Sequence, residues 1–319
     1  MFALSDGVRK WAVVAPSEPL PPRWRVALRR RLLARQEIAK VRRTDLLIIG
    51  HPKSGNTWLR TMLSRLYGFR HGLPEDLVVT SDELTRRNPA VPRITATNGW
   101  YSYEGAVGAL LAPGAPDDPV RYKPIVFLAR NPADIAVSWY HQVTKRQSRH
   151  KFELVNEALA RPIDRRTIGM WDFVRHSDLG LVNLIDFLNT WERNVATLPH
   201  AITVRYEELR AEPGPTLRRI VEHMGDSCCD EELNEAVRFG AFDHLGRLEQ
   251  QGFFRQGGLK RRDPNDPNAR KVRRAKVGGF RDDFTSEQVA ELEALMVERL
   301  SPSLGYTSVA PAARAAATA

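Results

Sequence analysis

The segment from Leu46 to Tyr67 contains residue types whose spacing suits phosphate binding. Four consecutive apolar residues, 46–49, predict a buried strand, and the apolar positions between Leu59 and Tyr67 recur on one helical face. Six residues rich in turn-forming and polar types separate the two patterns. A strand, a tight loop and a helix start present backbone N–H groups and the positive end of the helix dipole to one anion. The sequence therefore predicts a phosphate-binding loop.

The loop departs from the nucleoside-triphosphate pattern at one position. Gly50 and Gly55 have the spacing of G-x-x-x-x-G-K-[ST], and Thr57 keeps the hydroxyl, but Asn56 stands where that pattern requires lysine. The lysine of this loop lies upstream, at Lys53. This shift predicts an anion cradle whose cation sits on the other side of the anion, and it argues against a P-loop kinase or ATPase.

The sequence PKSGNTW at residues 52–58 resembles the sulfonate-donor loop of sulfotransferases that use 3′-phosphoadenosine 5′-phosphosulfate (PAPS). An ordinary strand-to-helix turn would leave the joint match of these residue types unexplained. The resemblance implies that the donor is bound by consecutive residues of this loop, namely Lys53, Ser54, Gly55, Asn56, Thr57 and Trp58. Lys53 is also the expected catalytic cation, because charge builds on the leaving oxygen during sulfonate transfer.

Residues 127–141, FLARNPADIAVSWYH, predict the end of a strand followed by a capped helix. Asn131 suits the N-cap and Pro132 suits the first helical position. Arg130 then lies at the carboxyl end of the strand, where ligands bind in open α/β sheets. The segment resembles the sulfotransferase segment that holds the 3′-phosphate of PAPS, and the resemblance assigns that role to Arg130 and Ser138.

Two further segments resemble parts of the same family. The sequence VRYEEL at 204–209 matches a Tyr-Glu-Asp-Leu segment, which implies that Tyr206 lies near the adenine, and Phe242 matches an aromatic residue that packs against it. The sequence KVRRAKVGGF at 271–280 resembles the C-terminal loop that closes over the 3′-phosphate. In this loop the donor-binding positions are Arg273, Arg274 and Ala275. Ala275 replaces the family's glycine.

Strands alternate with helical patterns along the chain, which predicts a parallel sheet with helices on both faces. Further apolar strands are predicted at 125–128 and 201–204. The family matches run in order over residues 45–306 and imply an α/β, P-loop-like three-layer fold. We expect a basic N-terminal segment with a helix at 1–44, a sulfotransferase domain at 45–306 and a disordered tail at 307–319.

The position of the family's general base carries an unexpected residue. Family members place a histidine in a segment that corresponds here to 95–99, where Asn98 stands instead, and an amide takes up no proton at neutral pH. Four accounts remain open. His51 could replace the base, a carboxylate such as Glu104 could do so, the reaction could be lost or weakened, or the motif could be misaligned.

Charge is unevenly distributed along the 319 residues, whose net charge is +10. Nine Lys or Arg residues and one acidic residue lie between Arg23 and Arg43, and ten and two lie between 250 and 281. The first cluster predicts either a solvated helix face or a surface that contacts an acidic partner or, peripherally, an anionic membrane. Aromatic residues do not alternate regularly with the basic residues in either cluster, and no nucleic-acid-binding module is evident, so no nucleic-acid partner is expected.

The cellular setting and the overall activity follow from these features. Cys228 and Cys229 are adjacent and cannot form a disulfide framework, and the first residues lack a signal-peptide core, so a cytoplasmic location is expected. The predicted activity is transfer of a sulfonate group from PAPS to a hydroxyl of a small-molecule, lipid or sugar acceptor, without a metal. The alternative is a catalytically weak or silent PAPS/PAP-binding protein, and a homodimer is left open.

Overall fold

The computed structural model describes residues 6–77, 81–99, 103–254, 259 and 276–306. These ranges contain one parallel sheet. Its strands are β1 (Leu46–Ile49), β2 (Ile94–Thr97), β3 (Ile125–Ala129) and β4 (Ala201–Arg205). Their order across the sheet is β2-β1-β3-β4. Because the strands run parallel, their carboxyl ends all lie at one edge of the sheet.

Alternate residues of β1 pack on opposite faces of the sheet. Leu47 and Ile49 belong to one hydrophobic core cluster, whereas Leu46 and Ile48 belong to another. This alternation is the two-residue period of a strand. All four side chains are fully buried, as a continuous apolar run predicts for a parallel strand that is covered on both faces.

Helices cover both faces of the sheet. Within the described ranges they are α1 (Asp6–Ser17), α2 (Pro22–Val41), α3 (Asn56–Arg70), α4 (Ser81–Arg87), α5 (Ala106–Leu111), α6 (Pro132–His141), α7 (Arg149–Asn156), α8 (Met170–Arg175), α9 (Leu181–Val195), α10 (Tyr206–Ala211), α11 (Pro213–His223), α12 (Asp230–Gly240), α13 (Phe242–Gln250) and α14 (Ser286–Arg299). Helices α6, α9 and α14 pack on one face, and α3, α11 and α12 pack on the other. The predicted three-layer α/β fold is confirmed. None of the helices described is both long and apolar enough to cross a membrane.

The structure adds one strand that the sequence did not predict. The predicted strands at 46–49, 125–128 and 201–204 are present, and the helix start at Asn131 is capped as expected. Edge strand β2 has the sequence Ile-Thr-Ala-Thr, which is too polar to resemble the apolar runs of its neighbours. Helix α3 also continues to Arg70, past the apolar pattern that ends at Tyr67.

The basic N-terminal helix is partly an internal element. Arg29 of α2 is fully buried and pairs with Glu18 and with Glu153 of α7, over 2.8 Å in each case. Arg25 also pairs with Glu153. Part of the basic cluster therefore holds α1, α2 and α7 together, which differs from a purely solvated face. The predicted domain boundaries stay predictions, and the predicted tail at 307–319 lies outside the described residues.

Candidate active site

The loop between β1 and α3 has the backbone geometry of an anion-binding turn. It contains two residues with positive φ, Lys53 at 84° and Gly55 at 108°. The N–H of Ser54 donates to the carbonyl oxygen of His51 over 3.0 Å, and Asn56 then begins α3. The first N–H groups of a helix have no intrahelical partner, and the helix dipole is positive at the same end. Loop and helix start therefore converge on one point.

Both glycines of this loop are required by close contacts. A Cβ atom on Gly55 would lie 2.8 Å from the Tyr206 ring, at a φ that side chains rarely adopt. A Cβ atom on Gly50 would lie 2.6 Å from Oδ1 of Asn56 and 2.9 Å from the carbonyl oxygen of Leu128. The loop is thus fixed against β3 and α10 by its two smallest residues.

Arg130 connects this loop to the neighbouring strands. Its Nη1 donates to the carbonyl oxygen of Lys53 over 2.9 Å, and its guanidinium lies 4.4 Å from the centre of the Tyr206 ring. Nη2 is 3.9 Å from a carboxylate oxygen of Asp134, four residues further on. The side chain is only 12% exposed. The predicted residues Lys53, Arg130 and Tyr206 are therefore brought together in one packed unit.

A buried hydroxyl group in the loop also suits an anion. Ser54 is fully buried, and its Oγ has no hydrogen-bond partner in the part of the chain that the structure describes. Buried polar atoms are normally satisfied, so this hydroxyl is available as a hydrogen-bond donor. Thr57 and Ser138 are half-buried, the first in the opening turn of α3 and the second in α6.

Aromatic side chains gather on one side of the loop. The Trp58 and Tyr206 rings are 5.6 Å apart in an edge-to-face arrangement, and Trp58 Nε1 donates to the carbonyl oxygen of Gly240 over 2.8 Å. The Arg210 guanidinium lies 6.0 Å from the Trp58 ring centre and 5.8 Å from that of Phe242. Burial raises the pKa of Tyr206, so its phenol stays neutral. The position of Arg210 in the site was not predicted from the sequence, because only the fold brings this side chain to the rings of Trp58 and Phe242.

Asp134 anchors the chain where it returns towards this site. Its two carboxylate oxygens accept hydrogen bonds from the N–H groups of Gly278, over 2.8 Å, and Phe280, over 3.0 Å. Asp134 itself is buried at the start of α6. The predicted donor-binding residues Arg273, Arg274 and Ala275 lie outside the described residues.

A second carboxylate fixes the start of α6. The Asn131 side chain caps the helix by accepting from the N–H groups of Ala133 and Asp134. The N–H of Asn131 donates to Glu207 over 3.0 Å, and the Tyr306 hydroxyl donates to the other oxygen of Glu207 over 2.7 Å. Burial also raises the pKa of Tyr306. Glu207 thus ties α6 to α10, a role that its sequence motif alone does not reveal.

The residues considered as bases occupy different environments. Asn56 Nδ2 donates to the carbonyl oxygen of Gly50 over 3.0 Å and lies 3.4 Å from Oδ1 of Asn98. His51 is fully buried between the rings of Trp139 and Phe187, and burial lowers its pKa to about 3. An imidazole of that pKa is a weak proton acceptor, so the burial of His51 weighs against its role as the base.

The side chain of Glu104 lies outside what the structure describes. Among the described residues, no group of three or more His, Cys, Asp or Glu side chains is arranged to hold a metal ion.

Fold and site together define a class of protein. A parallel α/β sheet carries a loop with the geometry of an anion-binding turn between its first strand and the following helix, with an arginine at the end of the adjacent strand. This is the P-loop-like arrangement for a phosphorylated ligand, with the loop's lysine inside the turn instead of at the helix start.

The family model for the sulfotransferase domain matches residues 121–303, and the chain belongs to that family. The chain is 26% identical over 300 residues to cytosolic sulfotransferase 17 of Arabidopsis thaliana, covering 86% of this chain and 80% of that protein. It is 25% identical over 288 residues to flavonol 4'-sulfotransferase of Flaveria chlorifolia, covering 85% and 83%. The prediction of a sulfotransferase is confirmed.

Solved structures agree at the level of the fold. Mouse sulfotransferase SULT7A1, complexed with PAP, aligns with a TM-score of 0.51 at 17% identity and covers 83% of this chain and 86% of that one. Retinol dehydratase in a complex with retinol and PAP aligns with a TM-score of 0.50 at 15% identity, covering 80% of each chain. The shared architecture is the parallel sheet with helices on both faces.

Proposed function

We propose that this sulfotransferase moves the sulfonate group of PAPS to a hydroxyl group of a small-molecule, lipid or sugar acceptor. The observation that carries the proposal is the packed unit of Lys53, Arg130 and Tyr206 at the carboxyl edge of the sheet. The choice of donor is supported by the mouse sulfotransferase of the same fold, whose structure is a complex with PAP.

The two phosphate groups of the donor are held by different sets of residues. The N–H groups at the start of α3 and the hydroxyls of Ser54 and Thr57 receive the 5′-phosphate. Arg130 and Ser138 receive the 3′-phosphate, because a planar guanidinium offers paired donors to phosphate oxygens. The adenine lies among the aromatic residues Trp58, Tyr206 and Phe242, and Arg273, Arg274 and Ala275 close over the 3′-phosphate.

Transfer is an in-line displacement at sulfur. The acceptor oxygen attacks as the bond from sulfur to the bridging oxygen of the 5′-phosphate breaks, and PAP leaves with the electron pair. Lys53 lies inside the turn, where its ammonium group stabilises the charge on that bridging oxygen. The loop N–H groups stabilise the remaining phosphate oxygens.

The donor site is tested by calorimetric titration with PAP. We expect wild-type protein to bind PAP and Arg130→Ala to bind it about 10²-fold more weakly, because the phosphate loses a part-buried guanidinium partner. Arg219→Ala is the matched control, since Arg219 is an exposed arginine on α11 whose ion pair with Glu208 is also at the surface. Equal affinities of the Arg130→Ala and wild-type proteins would remove Arg130 from the site.

The second candidate function is a donor-binding protein with little or no turnover. It is favoured by Asn98, which stands at the position of the family's base, and by the weak basicity of buried His51. Release of PAP from labelled PAPS with any acceptor discriminates the two candidates. Sustained release supports transfer, whereas binding without release supports the silent protein.

The acceptor and the cellular setting rest on the relatives. One relative is named for flavonols, which supports a hydroxylated small molecule as the acceptor class. Several relatives are named as cytosolic, which supports the cytoplasm as the location. The homodimer stays a prediction that the mass in solution would test.

A peripheral membrane contact through α2 is the remaining part of the proposal. Trp24 and Leu28 are 72% and 39% exposed and share one helix face with the exposed Arg31 and Arg35. An exposed apolar and cationic face suits the headgroup region of an anionic bilayer. Arg25 and Arg29 lie outside this face and form internal ion pairs with Glu153.

Vesicle sedimentation tests this contact. We expect binding to phosphatidylcholine vesicles that contain phosphatidylglycerol, and weaker binding after Arg31→Glu with Arg35→Glu or after Trp24→Ala. Arg219→Glu, on α11, is the matched charge control. Sedimentation that is equal with and without the anionic lipid, or unaffected by these changes, would overturn the membrane contact.

A further inference from the structure

The basic cluster on α2 contains one acidic residue, Glu37, whose side chain reaches the carboxyl edge of the sheet. Oε1 of Glu37 accepts a hydrogen bond of 2.8 Å from the hydroxyl of Thr97, the last residue of β2. Glu37 is half-buried, and its Oε2 is also shielded from solvent. A shielded carboxylate at the carboxyl end of a parallel strand is a common position for a catalytic group.

The strand order places Glu37 beside β2, on the side of β1 that lies away from β3 and β4. The donor groups follow β1, β3 and β4, which are consecutive in the sheet. Strand β2 is the neighbour of β1 on the opposite side. The N–H of Gly50 donates to the carbonyl oxygen of Thr97 over 3.2 Å, so the phosphate loop begins directly beside the residue that holds Glu37.

Asn56 links the same two elements further along. Its Nδ2 lies 3.4 Å from Oδ1 of Asn98, the residue after Thr97. The end of β2, whose Thr97 contacts Glu37, is therefore also linked through Asn98 to the first residue of α3. The 5′-phosphate that carries the transferred sulfonate group is expected at that residue. Thr97 has a second role, because its hydroxyl accepts from the N–H of Gly99 over 3.3 Å. The threonine thus fixes both the carboxylate and the turn that follows β2.

We propose that Glu37 is the general base for the acceptor hydroxyl, an inference that rests on the proposed PAPS-dependent transfer. As the acceptor oxygen forms its bond to sulfur, its proton passes to the Glu37 carboxylate. The bond from sulfur to the 5′-phosphate oxygen breaks, and PAP leaves with the electron pair. The products are a sulfate ester and PAP, and the protonated Glu37 returns its proton to water.

Tyr103, from the short turn that packs on α2, lies close enough to Glu37 to interact with it electrostatically. Neither the amide of Asn98 nor the buried imidazole of His51 offers an equivalent proton acceptor.

The test compares Glu37→Gln with the wild-type protein, using labelled PAPS with a panel of acceptors that includes aliphatic alcohols, 4-nitrophenol and water. The glutamine keeps a carbonyl oxygen for Thr97 but cannot take up a proton. We expect turnover with aliphatic alcohols to fall about 10²–10⁴-fold. We expect a much smaller loss with 4-nitrophenol, whose acidic hydroxyl needs little help, and PAP affinity within about twofold of the wild-type value.

Two further variants separate chemistry from structure. Thr97→Val removes the hydrogen bond but leaves the carboxylate, so we expect a smaller loss of turnover than in Glu37→Gln. Glu298→Gln changes an exposed glutamate on α14 and is the matched control. Equal losses in Glu37→Gln and Thr97→Val, with no dependence on the acidity of the acceptor, would make Glu37 a structural residue and overturn the inference.

The same measurements distinguish failure of this inference from failure of the proposed function. Wild-type turnover together with undiminished turnover in Glu37→Gln contradicts only the role of Glu37. A wild-type protein that binds neither PAP nor PAPS contradicts the proposed function. Donor binding without turnover on any acceptor, water included, supports the silent protein and contradicts Glu37 as a working base.

Discussion

Arg130 is the residue around which the donor half of the candidate site is organised. It contacts the carbonyl oxygen of Lys53, the face of Tyr206 and the carboxylate of Asp134 within one part-buried side chain. A guanidinium held in place by three partners loses little conformational freedom when it takes up a phosphate. The predicted contribution of Arg130 to donor binding therefore combines charge with preorganisation.

Gly55→Ala is expected to disturb this arrangement. The added methyl group meets the Tyr206 ring at 2.8 Å and forces alanine to a φ of 108°. We expect a loss of about 1–3 kcal/mol in the free energy of unfolding and weaker PAP binding, measured by urea denaturation and calorimetry.

Gly72→Ala is the matched control at the other end of α3. Gly72 also has a positive φ, of 60°, but an added Cβ there meets no atom within 4 Å. We expect a loss of about 1 kcal/mol in the free energy of unfolding from the backbone and unchanged PAP affinity. A Gly55→Ala protein that behaves like Gly72→Ala would contradict the close packing of the loop on Tyr206.

His51 predicts a pH dependence of stability. Burial lowers its pKa from 6.5 to about 3, so between these values the unfolded chain binds a proton that the folded protein does not. The stability is fully present above pH 6.5 and is lost as the pH falls. Near pH 5.5 the loss from this one group is about 1.4 kcal/mol. Urea denaturation near pH 5.5 and near pH 7.5 measures it.

His51→Asn isolates the contribution of this imidazole from those of the other histidines. We expect the fall in the free energy of unfolding between the two pH values to be smaller in the variant by about 1.4 kcal/mol. Identical pH dependence in the two proteins would mean that the His51 imidazole titrates normally. In that case it would return as a candidate base.

At the scale of elements, Asp134 joins the start of α6 to the segment at 278–280. Asp134→Asn keeps the size of the side chain but replaces one acceptor oxygen by a donor that faces a backbone N–H group. We expect a loss of about 1–3 kcal/mol in the free energy of unfolding and weaker PAP binding, because the segment at 278–280 loses its anchor. Denaturation and calorimetry measure the two effects.

Asp243→Asn, an exposed position on α13, is the control for this substitution. It is expected to change neither the free energy of unfolding nor PAP affinity. If Asp134→Asn lowers stability but leaves PAP affinity unchanged, then Asp134 is only a structural cap. The contact of Asp134 with the segment at 278–280 would then have no part in donor binding.

The elements also differ in how well the sequence predicts them. Strands β1, β3 and β4 were predictable, as were the capped starts of α6 and α14, because apolar runs and capping residues are local features. Strand β2 was not, since two of its four residues are threonines and its place in the sheet depends on pairing with β1. The internal ion pairs of α2 likewise depend on Glu153, far along the chain.

For the molecule as a whole, the two proposed sides of the candidate site differ in how well the sequence predicts them. The proposed donor groups Lys53, Arg130 and Tyr206, which follow β1, β3 and β4, were largely predictable, because they lie in contiguous motifs. The proposed acceptor side was not, because Glu37 reaches Thr97 only through the packing of α2 on the sheet. Arg210 meets Trp58 and Phe242 in the same way. Contacts between distant segments carry no local pattern.

The central claim is that Lys53 serves sulfonate transfer from PAPS. The most direct measurement compares the transfer of labelled sulfonate from PAPS, with a panel of hydroxyl acceptors, by wild-type protein and by Lys53→Ala, together with the PAP affinity of each. We predict turnover by the wild-type protein and a roughly 10²–10³-fold lower turnover in the variant, with a much smaller change in PAP affinity. Undiminished turnover in Lys53→Ala would contradict the account.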